Sequence, residues 1–126
     1  MKDNQYPRLN IICIITARGN SQRLKNKNLK IINNKPLIYW SINSAKNSKL
    51  VNKVIVSSED DKILRYSKKL DVQTVKRPKR LSNSIIMPDA ALVHAVSSIK
   101  EKIDLIVFLH TNLKDFLSLY DYYLFQ

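Results

Sequence analysis

The feature that most narrows the fold of this chain is a run of five apolar residues near its N-terminus, Ile11-Ile12-Cys13-Ile14-Ile15. Residues branched at Cβ dominate this run, and no polar residue alternates with them. Such a stretch suits a strand that is covered on both faces, as the strands of a parallel sheet are. We therefore predict an α/β protein whose first strand is buried on both sides.

A basic segment follows this strand directly. It begins at the break after Thr16-Ala17, where Gly19, the only glycine of the chain, lies, and no acidic residue interrupts its cations, Arg18, Arg23, Lys25, Lys27 and Lys30. Ligands of open α/β sheets bind beyond the carboxyl ends of the strands, so the segment is a candidate anion site, with a nucleotide triphosphate as the first choice. The alternative is a solvated surface loop. One glycine forms neither GxxxxGK[ST] nor GxGxxG, so side-chain cations must contribute as much as backbone amides.

Composition limits the classes of protein that remain. A length of 126 residues fits one small domain or a part of a larger one, and the net charge of +12 favours nucleotides, nucleic acid or anionic membrane surfaces as partners. No apolar run reaches membrane-spanning length and no hydrophobic signal segment begins the chain, so we expect a cytoplasmic protein. No nucleic-acid-binding motif accompanies the charge, which makes nucleic acid an unlikely partner. Cys13 is interpreted as an inert core thiol.

Helical and strand periodicities alternate along the rest of the chain. Helices are predicted over about 36–47, 58–70 and 88–99, and further strands over 51–58, 72–75 and 104–109, the last of them buried. Ser58 is expected to cap the second helix, and the acids after it, Glu59, Asp60 and Asp61, are interpreted as partners of the helix dipole. The order βαβαβαβ predicts a three-layer sandwich with a mostly parallel sheet and right-handed crossovers.

A second cationic cluster, Lys76-Arg77-Pro78-Lys79-Arg80, follows the third predicted strand. In a parallel sheet this cluster lies at the same edge as the basic segment after the first strand. Two such clusters that converge on one crevice suit a triphosphate better than either one alone. His110 and Thr111, at the end of the fourth strand, are expected to face the same crevice.

Four segments in this order resemble the N-terminal half of the acylneuraminate cytidylyltransferases, which are CMP-N-acetylneuraminic acid synthetases: ARGNSQRLKNKNL, NNKPLIYWSI, KVIVSSEDDKI and RPKRLSN. The resemblance covers about residues 10–109. It implies a Rossmann-like nucleotidyltransferase fold and transfer of a cytidylyl group from CTP to a nonulosonic, sialic-type sugar acid, with release of pyrophosphate and the help of Mg²⁺. A non-catalytic nucleotide- or nucleic-acid-binding remnant is the alternative function.

The resemblance also implies roles for single residues. Arg18 corresponds to a loop arginine that meets the nucleotide phosphates, and Lys27 to a lysine that stabilises the triphosphate, so these two are the catalytic candidates. Arg77 corresponds to an arginine near the cytidine. The implied nucleotide-binding set comprises Ala17, Arg18, Gly19, Ser21, Arg23, Lys27, Asn28 and Arg77. Fixed cations are suited to this reaction because negative charge builds on the departing pyrophosphate.

Departures from the family pattern lie mainly near the C-terminus. Gln22 stands where many relatives have lysine, and Leu109-His110-Thr111-Asn112 replaces the LQPTSPLR pattern of relatives. We interpret 9–110 as the nucleotide-binding part of a truncated cytidylyltransferase and 111–126 as a divergent tail, for which an out-of-frame origin is one explanation. The part that is implied to hold the metal ligands, the sugar-acid pocket and the homodimer contacts is then missing. The sugar acid stays open between sialic, legionaminic and pseudaminic acids.

Overall fold

The computed structural model describes residues 8–19, 26–82 and 88–111, and within these ranges strands and helices alternate. The strands are β1 (Ile11–Thr16), β2 (Ile31–Ile32), β3 (Lys35–Pro36), β4 (Lys53–Ser58), β5 (Gln73–Lys76) and β6 (Leu105–His110). The α-helices are α1 (Leu37–Asn47), α2 (Asp61–Lys69) and α3 (Pro88–Ser97), and 3-10 turns lie at Lys27–Leu29 and Lys79–Ser82. The predicted alternation is confirmed, with element ends that shift by a few residues.

Four strands form one parallel sheet in the order β5-β4-β1-β6. The chain runs outward from β1 through β4 to β5 and then returns to the other side of β1 for β6. Helices α1 and α2 pack on one face through Ile38, Ile42 and Ile63, and α3 packs on the other through Ala95. The α/β three-layer sandwich with a mostly parallel sheet is therefore confirmed, and its winding direction reverses between β1 and β6.

Strand β1 is the centre of the core, and every residue of it is buried. Alternate side chains serve opposite faces: Cys13 and Ile15 join the cluster under α1 and α2, whereas Ile12 and Ile14 join the cluster under α3. Burial raises the pKa of the Cys13 thiol to about 11. The thiol is therefore protonated at neutral pH, which agrees with its interpretation as an inert core residue.

The prediction that the fourth sheet strand is buried is wrong for β6. Leu105 is 50% exposed, and the following four residues are only partly buried. The reason is position: within the described ranges β6 pairs with β1 alone and lies at the edge of the sheet. An apolar run indicates burial but does not tell a central strand from an edge strand.

The predicted cap of helix α2 is also wrong by two residues. Ser58 still belongs to β4, and its hydroxyl accepts a hydrogen bond from the Asp60 amide at 3.1 Å. Asp60 is the N-cap, because its carboxylate accepts from the Lys62 amide at 2.7 Å. Carboxylates serve this position as well as hydroxyls do, so composition alone could not choose between neighbouring candidates.

A short hairpin connects the basic segment to α1 and was predicted only as a turn. β2 and β3 pair antiparallel, and the two residues between them, Asn33 and Asn34, have φ values of 50° and 70°. Two consecutive residues in the left-handed region form the two-residue turn that matches the twist of a hairpin, in which asparagine and glycine are favoured. The Trp40 indole nitrogen donates to the Ile32 carbonyl at 2.9 Å and fixes the hairpin on α1.

This turn gives a direct test of the fold. Asn34→Ala should lower the free energy of unfolding by about 1 kcal/mol, because alanine tolerates the left-handed region poorly, whereas Asn34→Gly should not lower it. Urea unfolding of both variants measures the difference. Asn47→Ala, at the exposed end of α1, is the matched control and should change stability by less than about 0.5 kcal/mol. Equal stability of the two Asn34 variants would contradict the turn.

Candidate functional site

The carboxyl ends of all four parallel strands meet at one edge of the sheet. Residues that leave this edge are held to their neighbours by backbone hydrogen bonds, from the Ala17 amide to the Ser57 carbonyl and from the Arg77 amide to the Ser58 carbonyl, both at 3.0 Å. Open α/β sheets bind ligands at such an edge, where the direction of winding reverses. In this fold the reversal lies between β1 and β6, so the end of β1 is the first place to seek a site.

The basic segment folds back on itself at this edge. The Asn28 side-chain amide donates to the Arg18 carbonyl at 2.8 Å, and the Asn26 amide donates to the Gly19 carbonyl at 3.2 Å. Asn28 is 1% exposed, and its Oδ1 atom has no hydrogen-bond partner within the described ranges. These bonds place the 3-10 turn that carries Lys27 beside the end of β1.

Lys27 lies at the point where the winding reverses. Its ammonium group donates to the Thr111 carbonyl at 3.2 Å, and the Thr111 hydroxyl donates to the Thr16 carbonyl at 3.3 Å. The side chain therefore spans the ends of β1 and β6. Thr111 therefore lies at this edge and is buried, and its exposure to a ligand crevice stays a prediction.

Arg77 reaches the same edge from β5 but is buried against an acid. Its Nη2 atom lies 3.4 Å from Oε2 of Glu59, and the two side chains are 2% and 12% exposed. Burial lowers the pKa of the Arg77 guanidinium, the Glu59 carboxylate opposes that shift, and the nearby charge of Arg18 adds to it. Arg18 and Arg77 are thus close enough to interact, and the charge of Arg77 is compensated within the protein.

Glu59 is the residue of this cluster that the sequence did not identify. Its Oε1 atom accepts a hydrogen bond from the Gly19 amide at 2.6 Å, while Oε2 faces Arg77. Sequence reasoning assigned Glu59 to the dipole of α2 together with its two neighbours. An acid directly after a strand, at an edge where two cationic segments meet, was the signal that could have singled it out.

Gly19 lies directly against the side chain of Asp60. A Cβ atom built on Gly19 would lie 2.4 Å from Oδ2 and 2.7 Å from Cβ of Asp60, so no side chain fits there. Gly19 does not have a positive φ angle, which means that the requirement for glycine is one of space. The chain's single glycine stands at this contact.

The structure brings most of the predicted nucleotide-binding residues to one edge. Ala17, Arg18, Gly19, Lys27, Asn28 and Arg77 are linked through the bonds above, whereas Ser21 and Arg23 lie outside the described residues. The second cationic cluster divides: Lys76 pairs with Asp61 at 3.0 Å, and Lys79 and Arg80 are exposed. Nucleotide contact by these residues stays a prediction.

The carboxylates near this edge do not form a metal site. Within residues 8–19, 26–82 and 88–111 no three His, Cys, Asp or Glu side chains converge as metal ligands would. Glu59, Asp60 and Asp61 each accept hydrogen bonds from protein groups instead. These residues do not fit a bound Mg²⁺, so no chemical step is derived through one.

Across the same ranges no helix has the length and apolarity to cross a bilayer.

Comparison with known proteins gives consistent matches. The profile of the family described as cytidylyltransferase matches residues 12–112. Pseudaminic acid cytidylyltransferase of Campylobacter jejuni is 34% identical over 72% of this chain and 40% of its own length. CMP-N,N'-diacetyllegionaminic acid synthase of the same species is 39% identical over 58% of this chain and 32% of its own length. N-acylneuraminate cytidylyltransferase of Escherichia coli is 31% identical over 71% and 22%, respectively.

A solved structure agrees with the fold. CMP:2-keto-3-deoxy-manno-octonic acid synthetase, solved in complex with CTP, is similar with a TM-score of 0.71 and 20% identity over 82% of this chain. At that identity the likeness concerns the fold. The present chain spans about 40% of that structure and 40% or less of the three relatives above.

Proposed function

Because the chain belongs to the cytidylyltransferase family, we propose that it forms the CTP-binding part of an enzyme that transfers a cytidylyl group to a nonulosonic sugar acid. The products are the CMP-sugar and pyrophosphate. Relatives named for pseudaminic, legionaminic and N-acylneuraminic acids support this class of acceptor and do not single out one sugar. CTP is a cytoplasmic nucleotide, so the proposal places the reaction in the cytoplasm.

The observation that carries the proposal is the position of Lys27 and Arg18 at the carboxyl end of β1. Lys27 reaches across to the end of β6, and the backbone of Arg18 is held beside it by Asn28. Two cations at the point where the winding of the sheet reverses are suited to bind the polyphosphate of a nucleotide. Arg77 is proposed to border the site near the cytidine, with its charge balanced by Glu59.

Transfer of a cytidylyl group is favoured by cations close to the phosphates of CTP. A hydroxyl of the sugar acid attacks the α-phosphorus of CTP, the bond from that phosphorus to the bridging oxygen breaks, and negative charge accumulates on the leaving pyrophosphate. Cations that are already in position stabilise that charge more strongly in the transition state than in the substrate. Lys27 and Arg18 are proposed for this task.

The metal, the sugar-acid pocket and the homodimer contacts are not assigned to the described residues. The described residues offer no ligand set for Mg²⁺, so the metal expected for the reaction is proposed to arrive with the CTP phosphates. The sugar-acid pocket and the homodimer contacts are proposed to lie in the parts of the enzyme that correspond to the unmatched length of the relatives, of which this chain spans at most 40%.

Calorimetric titration of the 126-residue chain tests the proposal. We expect CTP to bind about tenfold more tightly than ATP, and the preference to hold with and without Mg²⁺. ATP is the matched control, because it carries the same triphosphate on a different base.

The net charge of +12 supports a second candidate, a non-catalytic nucleic-acid-binding remnant. It predicts binding to a random single-stranded oligonucleotide that weakens steeply with salt, without any preference for CTP. That pattern in the same titrations would contradict the cytidylyltransferase proposal.

A further inference from the structure

We propose that Glu59 is a positioning residue of the nucleotide site, which holds the Arg18–Gly19 peptide group and thereby fixes the position of Arg18 beyond the end of β1. This inference rests on the function proposed above. It assigns a role in ligand binding to an acid that sequence analysis interpreted only as a partner of the helix dipole.

Hydrogen bonds hold the peptide group between Arg18 and Gly19 from both sides. The carbonyl of Arg18 accepts from the Asn28 side-chain amide at 2.8 Å, and the amide of Gly19 donates to Glu59 at 2.6 Å. These two atoms belong to the same planar peptide group. It cannot rotate without breaking both bonds, so the backbone at Arg18 has one orientation.

The hydrogen bond between the Gly19 amide and the Glu59 carboxylate is strong. A carboxylate that accepts from a backbone amide forms a charge-assisted bond, and such bonds are roughly twice as strong as neutral ones. Glu59 is only 12% exposed, so water competes weakly for it. Asp60, the next residue, packs against Gly19 and leaves no room for a side chain there. Glu59 and Asp60, which follow β4, thus fix the position of the segment after β1.

The charge balance near Arg18 also depends on Glu59. Glu59 also pairs with the buried Arg77, whose guanidinium lies near Arg18. Without the carboxylate, the nearby positive charges of Arg18 and Arg77 would repel each other more strongly, and the segment could relieve this repulsion by moving. Glu59 therefore positions Arg18 by a hydrogen bond and by removing a repulsive force.

The composition of the chain offers a selective probe of this contact. Gly19 is the only glycine, so cell-free synthesis with ¹⁵N-glycine gives one amide signal, which reports directly on the Gly19 hydrogen bond. The signal is recorded for the unaltered chain, Glu59→Gln and Glu59→Ala, each alone and during titration with CTP. Calorimetry on the same samples gives the dissociation constants, at temperatures below the measured melting point.

We expect the affinity for CTP to follow the state of the Gly19 amide. Glu59→Ala removes the acceptor, so the signal should move and CTP binding should weaken by about tenfold. Glu59→Gln keeps an oxygen for the amide but loses the charge, so the loss should be about threefold. This rescue by the conservative variant is what a purely structural role does not require.

Asp61→Asn is the matched control, because it removes one negative charge two positions away from Glu59, at an exposed site where Asp61 pairs with Lys76. It should leave both the Gly19 signal and the CTP affinity unchanged. Equal CTP affinity in the unaltered chain and Glu59→Ala would overturn the role of Glu59 alone. If Glu59→Ala does not fold, a displaced Gly19 signal with unaltered affinity in Glu59→Gln overturns it. Failure of the unaltered chain to bind CTP would overturn the proposed function as well.

Discussion

Lys27→Ala is expected to weaken CTP binding by about ten- to a hundredfold, which corresponds to the loss of a charge-assisted contact with phosphate. The ammonium group lies at the junction of β1 and β6, where its hydrogen bond to the Thr111 carbonyl fixes its direction. A cation in that position gains more from a triphosphate than a mobile surface lysine does, because less side-chain entropy is lost on binding. Calorimetry at low and at physiological salt measures the effect.

Lys30→Ala provides the control for Lys27→Ala. Lys30 lies three residues further along the same basic segment and is exposed, so its removal changes the net charge equally and leaves the junction of β1 and β6 intact. General attraction between a chain of charge +12 and a polyanion would make the two variants equal. Equal losses would therefore contradict a specific site, whereas a loss in Lys27→Ala and in Arg18→Ala that is absent from Lys30→Ala supports it.

The sequence predicted the part of this architecture that depends on local pattern. The β-branched run from Ile11 to Ile15 predicted a strand covered on both faces, because it has no polar side chain to face solvent. The structure places that strand in the interior of the sheet, where all its residues are buried. Convergence of Arg18 and Arg77 was predictable from the parallel direction of the strands that precede them. Parallel strands bring the residues after them to one edge, whatever the length of the connections.

What the sequence did not predict depends on contacts between distant segments. The bond from Glu59 to Gly19 joins residues 40 positions apart, and neither residue type announces the other. Glu59 and its two neighbours are equally acidic, yet one pairs with Arg77, one caps α2 and one pairs with Lys76. The sequence alone does not distinguish the three acids. The partner of Glu59 depends on how β1 packs against β4, which residue type does not encode.

Partial exposure of β6 has a similar cause. The stretch from Leu105 to Leu109 is as apolar as a central strand, but its exposure is set by which strands pair with it. Periodicity describes the faces of one strand and carries no information on its place in the sheet. The hairpin at Asn33 and Asn34 was predicted as a turn for the complementary reason: a turn is encoded by its own residues, whereas two-residue strands depend on their partner.

Gly19→Ala is expected to lower the free energy of unfolding by about 2–3 kcal/mol, through overpacking together with loss of a helix cap. The added Cβ would lie 2.7 Å from Cβ of Asp60, well inside the contact distance of about 3.5–4.0 Å between carbon atoms. Either Asp60 moves and its bond to the Lys62 amide is lost, or the segment after β1 moves and the bond to Glu59 is lost. Urea unfolding measures the change.

A double variant shows whether this contact is the cause. Asp60→Gly removes the atoms that the new methyl group would meet and, as glycine is an acceptable N-cap, should itself cost only a few tenths of a kcal/mol. Gly19→Ala combined with Asp60→Gly should therefore be more stable than Gly19→Ala alone, which is the non-additivity expected of residues in direct contact. Additive losses would contradict the close approach of the two segments.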